Sequence, residues 1–157
     1  MRRTWVAHGL LLVEPDARWR FALSAAAAHD ADVDVVGTFA EARTSLDDVR
    51  FDLLVANLRL GEYNGIHLAY LVRLAGAQTH VLVHADACDA ASAGDIRRAG
   101  ALLDRTERLV VALPAYVSAT LPPVDRRDPL RFDRRRFTRG GRRARDRRPL
   151  DASSDPA

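Results

Sequence analysis

The sequence predicts an α/β domain with a doubly wound, five-stranded parallel sheet and helices on both faces. Short apolar runs alternate with segments of helical periodicity over about 110 residues. The run at residues 53–56 lacks the polar–apolar alternation of a half-exposed strand, which indicates a strand buried on both faces, as in parallel sheets. Strands that alternate with helices in this way are joined by right-handed crossovers, and these give the doubly wound arrangement.

The elements follow one another in strict alternation. The predicted strands are residues 9–13, 33–36, 53–56, 80–85 and 99–103. The predicted helices are residues 17–28, 40–46, 65–74, 88–99 and 107–113. Asp16 is a suitable N-cap for the first helix, Gly76 a suitable stop for the third, and Pro114 is expected to end or kink the last. On the first helix, Trp19, Leu23 and Ala27 form the inward stripe, and Phe21 faces away from it.

Composition divides the 157 residues into three parts. We predict an N-terminal extension over residues 1–8, one globular domain over residues 9–117, and a disordered basic tail over residues 118–157. Residues 118–157 carry a net charge of +6, whereas residues 1–117 carry −3. None of the 24 basic residues is a lysine.

The protein is expected to be cytoplasmic. The single Cys88 excludes a disulfide within the chain and suits a reducing compartment. His8 and the Glu14-Pro15-Asp16 turn interrupt the apolar start, so that it does not match a signal peptide. No apolar stretch reaches the roughly 20 residues that a membrane-spanning helix needs.

Residues 51–65, FDLLVANLRLGEYNG, are the stretch that says most about function. A buried strand ends at Asn57, and a loop leads from there to the helix that opens at Asn64-Gly65. Functional side chains in open α/β sheets gather at the carboxyl ends of the strands. Asn57 occupies such a position, yet its amide is neither charged nor nucleophilic.

These elements resemble the receiver domain of bacterial response regulators, a CheY-like, flavodoxin-like fold. The resemblance covers residues 9–117 and is carried by three motifs, Leu12-Val13-Glu14-Pro15-Asp16, Asp52-Leu53-Leu54-Val55-Ala56-Asn57-Leu58-Arg59-Leu60 with Asn64-Gly65, and Ala99-Gly100-Ala101. It implies a module of two-component signal transduction, in which a phosphorelay transfers a phosphoryl group to an aspartate at the end of the third strand.

The resemblance also implies a degenerate phosphorylation pocket. The phosphoacceptor position is Asn57, which cannot form an acyl phosphate. Glu14 keeps one of the two acidic residues expected after the first strand, and Pro15 replaces the other. Mg²⁺ binding is therefore expected to be weak or absent, and no cofactor is predicted.

Further pocket positions have changed as well. Ala85 occupies the position at the end of the fourth strand where the resemblance implies a Ser or Thr. The expected lysine after the fifth strand is missing, and Arg105 stands nearby. Arg59 completes the group of pocket residues. We expect a pseudo-receiver that is not an enzyme.

The histidines and serines provide no other site. His80 and His84 are about 13 Å apart on one strand and cannot share a metal ion. No serine is accompanied by a His–carboxylate arrangement, so nucleophilic catalysis has no support. His84 is expected to be a packing or hydrogen-bonding residue.

The leading interpretation is a phosphorylation-independent receiver that contacts a signalling protein, or a second copy of itself, through residues 88–113. The alternative is nucleic-acid binding by the arginine-rich tail, and a tail that contacts an acidic protein or membrane surface or merely stays solvated is also open. The tail residues concerned are Arg134, Arg135, Arg136, Arg139, Arg142 and Arg143. A working phosphoacceptor is the least favoured interpretation.

Overall fold

The computed structural model describes residues 9–119, and all structural statements below concern this part of the chain. In chain order its elements are β1 Gly9–Val13, α1 Ala17–Ala27, β2 Asp32–Val36, α2 Phe39–Asp48, β3 Leu53–Asn57, β4 Arg59–Leu60, β5 Tyr63–Asn64, α3 Gly65–Leu74, β6 His80–Ala85, α4 Ala90–Arg98, β7 Leu102–Arg105 and α5 Thr106–Ser118.

Five of the strands form one parallel sheet in the order β2-β1-β3-β6-β7. The prediction of a doubly wound, flavodoxin-like sheet is confirmed. The short strands β4 and β5 form a separate antiparallel ribbon that the sequence did not reveal. Each has only two residues, too few to show a period.

Alternating side chains of the sheet supply two apolar cores, one on each face. Leu11 and Val13 of β1 belong to the core that α2, α3 and α4 cover. Leu10 and Leu12 belong to the core beneath α1 and α5. This explains why the central strands are apolar without interruption, since both of their faces are covered.

The start of α1 agrees with the sequence. The Asp16 carboxylate accepts hydrogen bonds from the backbone N–H groups of Arg18 and Trp19, as expected of an N-cap. Leu23 is buried and Phe21 is 78% exposed, as the predicted inward stripe requires.

The last strand begins later than predicted, because residues 99–101 close α4 instead. Gly100 has φ +76°, and the Ala101 N–H donates to the carbonyl of Ile96. A glycine in this left-handed conformation is a common way to end a helix. The strand therefore starts at Leu102.

Of the two outcomes expected at Pro114, a helix end or a kink, the helix end does not occur, because α5 continues to Ser118. A proline inside a helix forfeits one backbone hydrogen bond. Leu113 and Val117, on either side of it, are buried in the core beneath α1 and α5. Burial of these side chains offsets the lost bond. The predicted extension over residues 1–8 and the tail from residue 120 onward lie outside the described residues.

The start of α3 lies against the end of β3, and this contact requires a glycine. A Cβ atom on Gly65 would lie 2.7 Å from the carbonyl oxygen of Asn57. The Gly65 N–H also donates to the Leu58 carbonyl at 3.0 Å. The backbone at the end of β3 is thereby fixed from two sides.

We expect Gly65→Ala to lower the free energy of unfolding by about 1–3 kcal/mol, because the methyl group displaces backbone. Gly94→Ala is the matched control, since its Cβ would meet only the Arg98 side chain, at 3.6 Å. Removing a glycine from the interior of α4 should stabilise by about 0.5–1 kcal/mol. Urea denaturation measures both changes. Equal effects of the two variants would contradict the close contact.

Candidate functional site

Four polar side chains lie in a row across the carboxyl end of the sheet. Glu14 follows β1, Asn57 ends β3, His84 lies in β6 and Asp104 in β7. The register pairs Asn57 with His84, and His84 with Asp104. The residues just before Glu14 and Asn57 are likewise paired. Because side chains alternate along a strand, all four face the side covered by α1 and α5.

The Asn57 amide and the Glu14 carboxylate form the central contact of this row. Asn57 Nδ2 donates to both carboxylate oxygens, at 2.9 Å to Oε2 and 3.2 Å to Oε1. Its Oδ1 accepts the backbone N–H of Arg59 at 2.9 Å. The donor and the acceptor of the amide are both used. An aspartate would have no N–H group to offer the carboxylate.

Glu14 is fully buried, and its carboxylate is surrounded by donors. Oε1 also accepts the backbone N–H of Asp16 at 2.9 Å. Burial raises the pKa of Glu14, and the neighbouring charges of Asp16 and Asp86 add to this. The hydrogen bonds from Asp16 and Asn57 oppose the rise, because they stabilise the ionised form.

His84 is the neighbour of Glu14 on the other side and is also fully buried. Its Nδ1 lies 3.0 Å from the hydroxyl of Thr106, the first residue of α5. Its Nε2 lies 3.3 Å from Oε2 of Glu14 but is not aligned for a hydrogen bond, so it has no hydrogen-bond partner among the described residues. Burial lowers the pKa of His84 to about 4, with partial opposition from the charge of Asp86. The imidazole is therefore neutral at pH 7.

Asp104 ends the row and ties it to α5. Its Oδ2 accepts the Tyr116 hydroxyl at 3.1 Å, and its Oδ1 accepts the Arg105 N–H at 2.8 Å. The guanidinium of Arg108 lies 3.7 Å from Oδ1. Burial, followed by the contact with Asp104, raises the pKa of Tyr116. Asp104 was not among the residues that we singled out in the sequence.

The structure brings together only two of the predicted pocket residues, Glu14 and Asn57. Pro15 is exposed in the turn after β1. Arg59 is exposed and reaches the row only through its backbone. The exposed Arg105 directs its guanidinium to the Asp86 carbonyl, at 3.5 Å.

Ala85, a predicted pocket position, does not lie beside Asn57. The register places His84 beside Asn57, and Ala85 pairs with Arg105 one step further along the sheet. Adjacent residues of a strand face opposite sides, so the Ala85 methyl group points away from the row. His84 lies two residues on from Leu82, which belongs to the core beneath α1 and α5, so the two side chains face the same side of the sheet.

The row does not fit Mg²⁺, the cation that the family resemblance implies. Mg²⁺ requires several charged oxygen ligands in octahedral geometry. Both oxygens of Glu14 already accept hydrogen bonds, and the single oxygen of Asn57 accepts the Arg59 N–H. Pro15 provides no carboxylate. Within residues 9–119, no three His, Cys, Asp or Glu residues are grouped as metal ligands.

The low pKa of His84 predicts an acid-sensitive fold. The unfolded chain protonates this imidazole as the pH falls through 6.5, whereas the folded chain does so only near 4. The stability that neutral His84 contributes is therefore complete above pH 6.5 and is lost towards pH 4, by about 3 kcal/mol. The raised pKa of Glu14 acts in the opposite sense, because the folded carboxyl binds its proton at a higher pH than the unfolded one.

A comparison with the His84→Gln variant isolates the contribution of His84 to the pH dependence of stability, because glutamine does not titrate. Urea denaturation of both proteins between pH 7 and pH 4 gives their free energies of unfolding. We expect the free energy of unfolding of the wild-type protein to fall more steeply than that of the variant as the pH is lowered from 7 to 4. Parallel profiles would show that the folded protein protonates His84 as readily as the unfolded chain does, and would contradict the lowered pKa.

Comparison with known proteins yields a match at the level of structure. No protein-family model matches the chain, and no curated protein matches it. Among solved structures, the Francisella response regulator 1452 receiver domain superposes with a TM-score of 0.64 at 15% identity, covering 70% of this chain and 93% of that one. A CheY-like receiver domain protein from Methanospirillum hungatei gives 0.63 at 13% identity, covering 71% and 94%.

The response regulator DrrB of Thermotoga maritima gives a TM-score of 0.61 at 17% identity over 71% of this chain. The match spans only 52% of DrrB, about half of its length. Within residues 9–119, no helix is both long and apolar enough to cross a bilayer. The described part of the chain has the fold of a CheY-like response-regulator receiver domain.

Proposed function

We propose that this chain is a pseudo-receiver, a signal-transduction module that acts by protein–protein contact without phosphorylation. The observation that carries the proposal is the Asn57 amide donating to both oxygens of Glu14. A phosphoacceptor must present a free, nucleophilic carboxylate. At this position the chain has a hydrogen-bond donor engaged with its neighbour.

The surroundings of Asn57 support the same proposal. His84 and Glu14 are fully buried, so no phosphoryl donor reaches the row from the α1 and α5 side without displacing them. Asp104, the residue that β7 contributes, is acidic and would repel a phosphoryl group. On these grounds we propose no enzymatic activity and no Mg²⁺ cofactor.

The partner surface that we propose lies over residues 88–113, which form α4, β7 and the first half of α5. Leu102 is exposed there, although it belongs to a strand. Exposed Arg97 and Arg98 at the end of α4 provide charge for recognition. A signalling protein or a second copy is the proposed ligand. The cytoplasm is the proposed location, where the exposed thiol of Cys88 stays reduced.

We expect the purified protein to gain no phosphoryl group from acetyl phosphate and Mg²⁺, because Asn57 has no nucleophilic oxygen. Intact-mass spectrometry measures the outcome. Asn57→Asp is the informative variant, since it restores the carboxylate but places it against Glu14. We expect this variant to melt at a lower temperature, because two carboxylates about 3 Å apart repel one another. A stoichiometric, hydroxylamine-labile phosphoryl group on the wild-type protein would overturn the proposal.

The alternative, nucleic-acid binding, rests on the tail sequence alone. Its arginines lie outside the described residues, and no comparison supports it. Binding of nucleic acid by these arginines would nevertheless depend strongly on the salt concentration. Five phosphate contacts on duplex DNA would cost roughly 500-fold in affinity between 50 and 200 mM salt.

A pull-down with the full chain and with residues 1–119 distinguishes the two functions. The truncation point follows α5, because Val117 is buried in the core beneath α1 and α5. We expect the shorter protein to retain the signalling partner and to lose any weak, salt-sensitive DNA binding. Sequence-selective DNA binding that persists at 200 mM salt would reverse the ranking.

A further inference from the structure

An apolar cleft lies at the amino end of the sheet, at the opposite end from the polar row. It has a volume of about 300 Å³ and is bordered by the last turns of α2 and α3 and by the loops that enter β3 and β6. A volume of this size corresponds to roughly ten water molecules, which gain little from apolar walls. The apolar residues that form these walls include Leu46, Val49, Leu71, Val72, Leu74 and Ala77.

Two large side chains at the border of the cleft are left uncovered by residues 9–119. Leu74 is 84% exposed and Val49 is 49% exposed. Leu46 and Leu71, further in, pack against the core that α2, α3 and α4 cover. Single exposed leucines are ordinary on protein surfaces, but an apolar cleft that leads from an exposed border to the core is typical of a binding site.

Two arginines at the cleft specify the kind of group that fits it. Arg43 and Arg50 both line the cleft, and neither has a hydrogen-bond or ion-pair partner for its side chain among the described residues. An aliphatic side chain would suit the apolar walls but would offer nothing to a guanidinium group. An aromatic ring suits both, because a guanidinium group is attracted to the face of the ring, and most strongly to that of tryptophan.

The chain enters the domain beside this cleft. Gly9, the first residue of β1, has the same parity as Leu11, which faces the core that α2, α3 and α4 cover. A Cβ atom on Gly9 would lie 3.7 Å from the carbonyl oxygen of Arg50 and 3.7 Å from the ring of Phe51. Residues 1–8 therefore join the domain next to a residue that lines the cleft.

We propose that Trp5 occupies this cleft, so that residues 1–8 close the amino end of the domain. Trp5 is the one Phe, Tyr or Trp residue in the segment MRRTWVAH. It precedes Gly9 by four residues, and four residues span up to about 13 Å, which is enough to reach past Arg50 into the cleft. The inference stands apart from the proposed function, because it rests on neither Asn57 nor the row.

Acidic residues at the cleft suit the charge of the same segment. Asp47 and Asp48 are exposed at the end of α2, and Asp47 also lines the cleft. The last carbonyl groups of α2 and α3 add partial negative charge at this end of the domain. Arg2 and Arg3 come shortly before Trp5 in the sequence. Two basic residues are thus brought towards two acidic ones when the indole ring is in the cleft.

Tryptophan fluorescence of the full chain tests the proposal. The sequence contains two tryptophans, so the Trp19→Phe variant reports on Trp5 alone. Trp19 belongs to α1, which covers the other face of the sheet. We expect the emission of Trp5 to lie at a shorter wavelength in the folded protein than in urea, and acrylamide to quench it less, because the indole ring is withdrawn from water.

Leu74→Asp, made in the Trp19→Phe protein, should lower the docking equilibrium constant by about tenfold or more, because it places a carboxylate in an apolar contact. Val111→Asp is the matched control, since Val111 is 82% exposed but belongs to α5 on the other face. It should leave the emission of Trp5 unchanged. Both substituted side chains lie outside the core, so we expect both variants to remain folded, which circular dichroism establishes.

A second measurement uses anilinonaphthalene sulfonate, an aromatic anion that suits the apolar walls and the two arginines. We expect Trp5→Ala to bind this dye more tightly than the wild-type protein does, because the indole ring no longer competes for the cleft. Equal binding by the two proteins would contradict occupation of the cleft by Trp5.

Three results of the fluorescence experiment overturn the proposal. One is an emission of Trp5 in the folded protein that matches the emission in urea. Another is an equal loss of protection in Leu74→Asp and Val111→Asp. The third is protection that appears only at high protein concentration, which would place Trp5 in the cleft of a second copy.

Discussion

The hydrogen bond from an amide to a buried carboxylate is the interaction on which the carboxyl end of this sheet depends. A fully buried Glu14 would be costly without donors, because its charge has been removed from water. Asn57 on the adjacent strand and the N–H of Asp16 supply those donors. Neutral His84 then packs against the pair without adding a second charge. Within the row, the two residues that contact Glu14, Asn57 and His84, add no second charge beside it.

The two sides of the domain differ in how they meet solvent. The layer of α2, α3 and α4 has charged side chains on its helices, and the layer of α1 and α5 becomes neutral after the first turns. The polar row lies beneath the neutral layer, and Thr106 and Tyr116 of α5 both hydrogen-bond to it. Contacts made on the outside of α5 and hydrogen bonds made on its inside therefore act on one helix. This is a physical basis for coupling between the row and the outer surface of α5.

The sequence predicted the fold well because its strongest signals are local. Uninterrupted apolar runs marked the central strands, and Asp16 marked the start of α1. The errors arose where tertiary packing decides the outcome. Burial of Val117 carries α5 beyond Pro114, and the turn at Gly100 shifts the last strand.

In the site, Asn57 and Glu14 could be predicted because both end apolar runs. Asp104 and Thr106 could not be predicted, because their positions depend on the register of the last strand. His84 was not identified as a member of the row for a related reason. Its position follows from side-chain parity along β6, and an apolar run by itself does not specify parity.

The β4–β5 ribbon is closed at its base by a backbone hydrogen bond, so its turn can vary in length. The N–H of Gly65 donates to the carbonyl of Leu58. This hydrogen bond joins the two ends of the β4–β5 ribbon and does not depend on the residues at its tip. At its tip, Gly61 has φ +73° and nothing within 4 Å of where a Cβ atom would stand. Residues inserted at this tip would extend into open space and add only loop entropy, which grows slowly with length. The ribbon is thus a natural point for grafting a peptide or a reporter onto the domain while leaving the polar row in place.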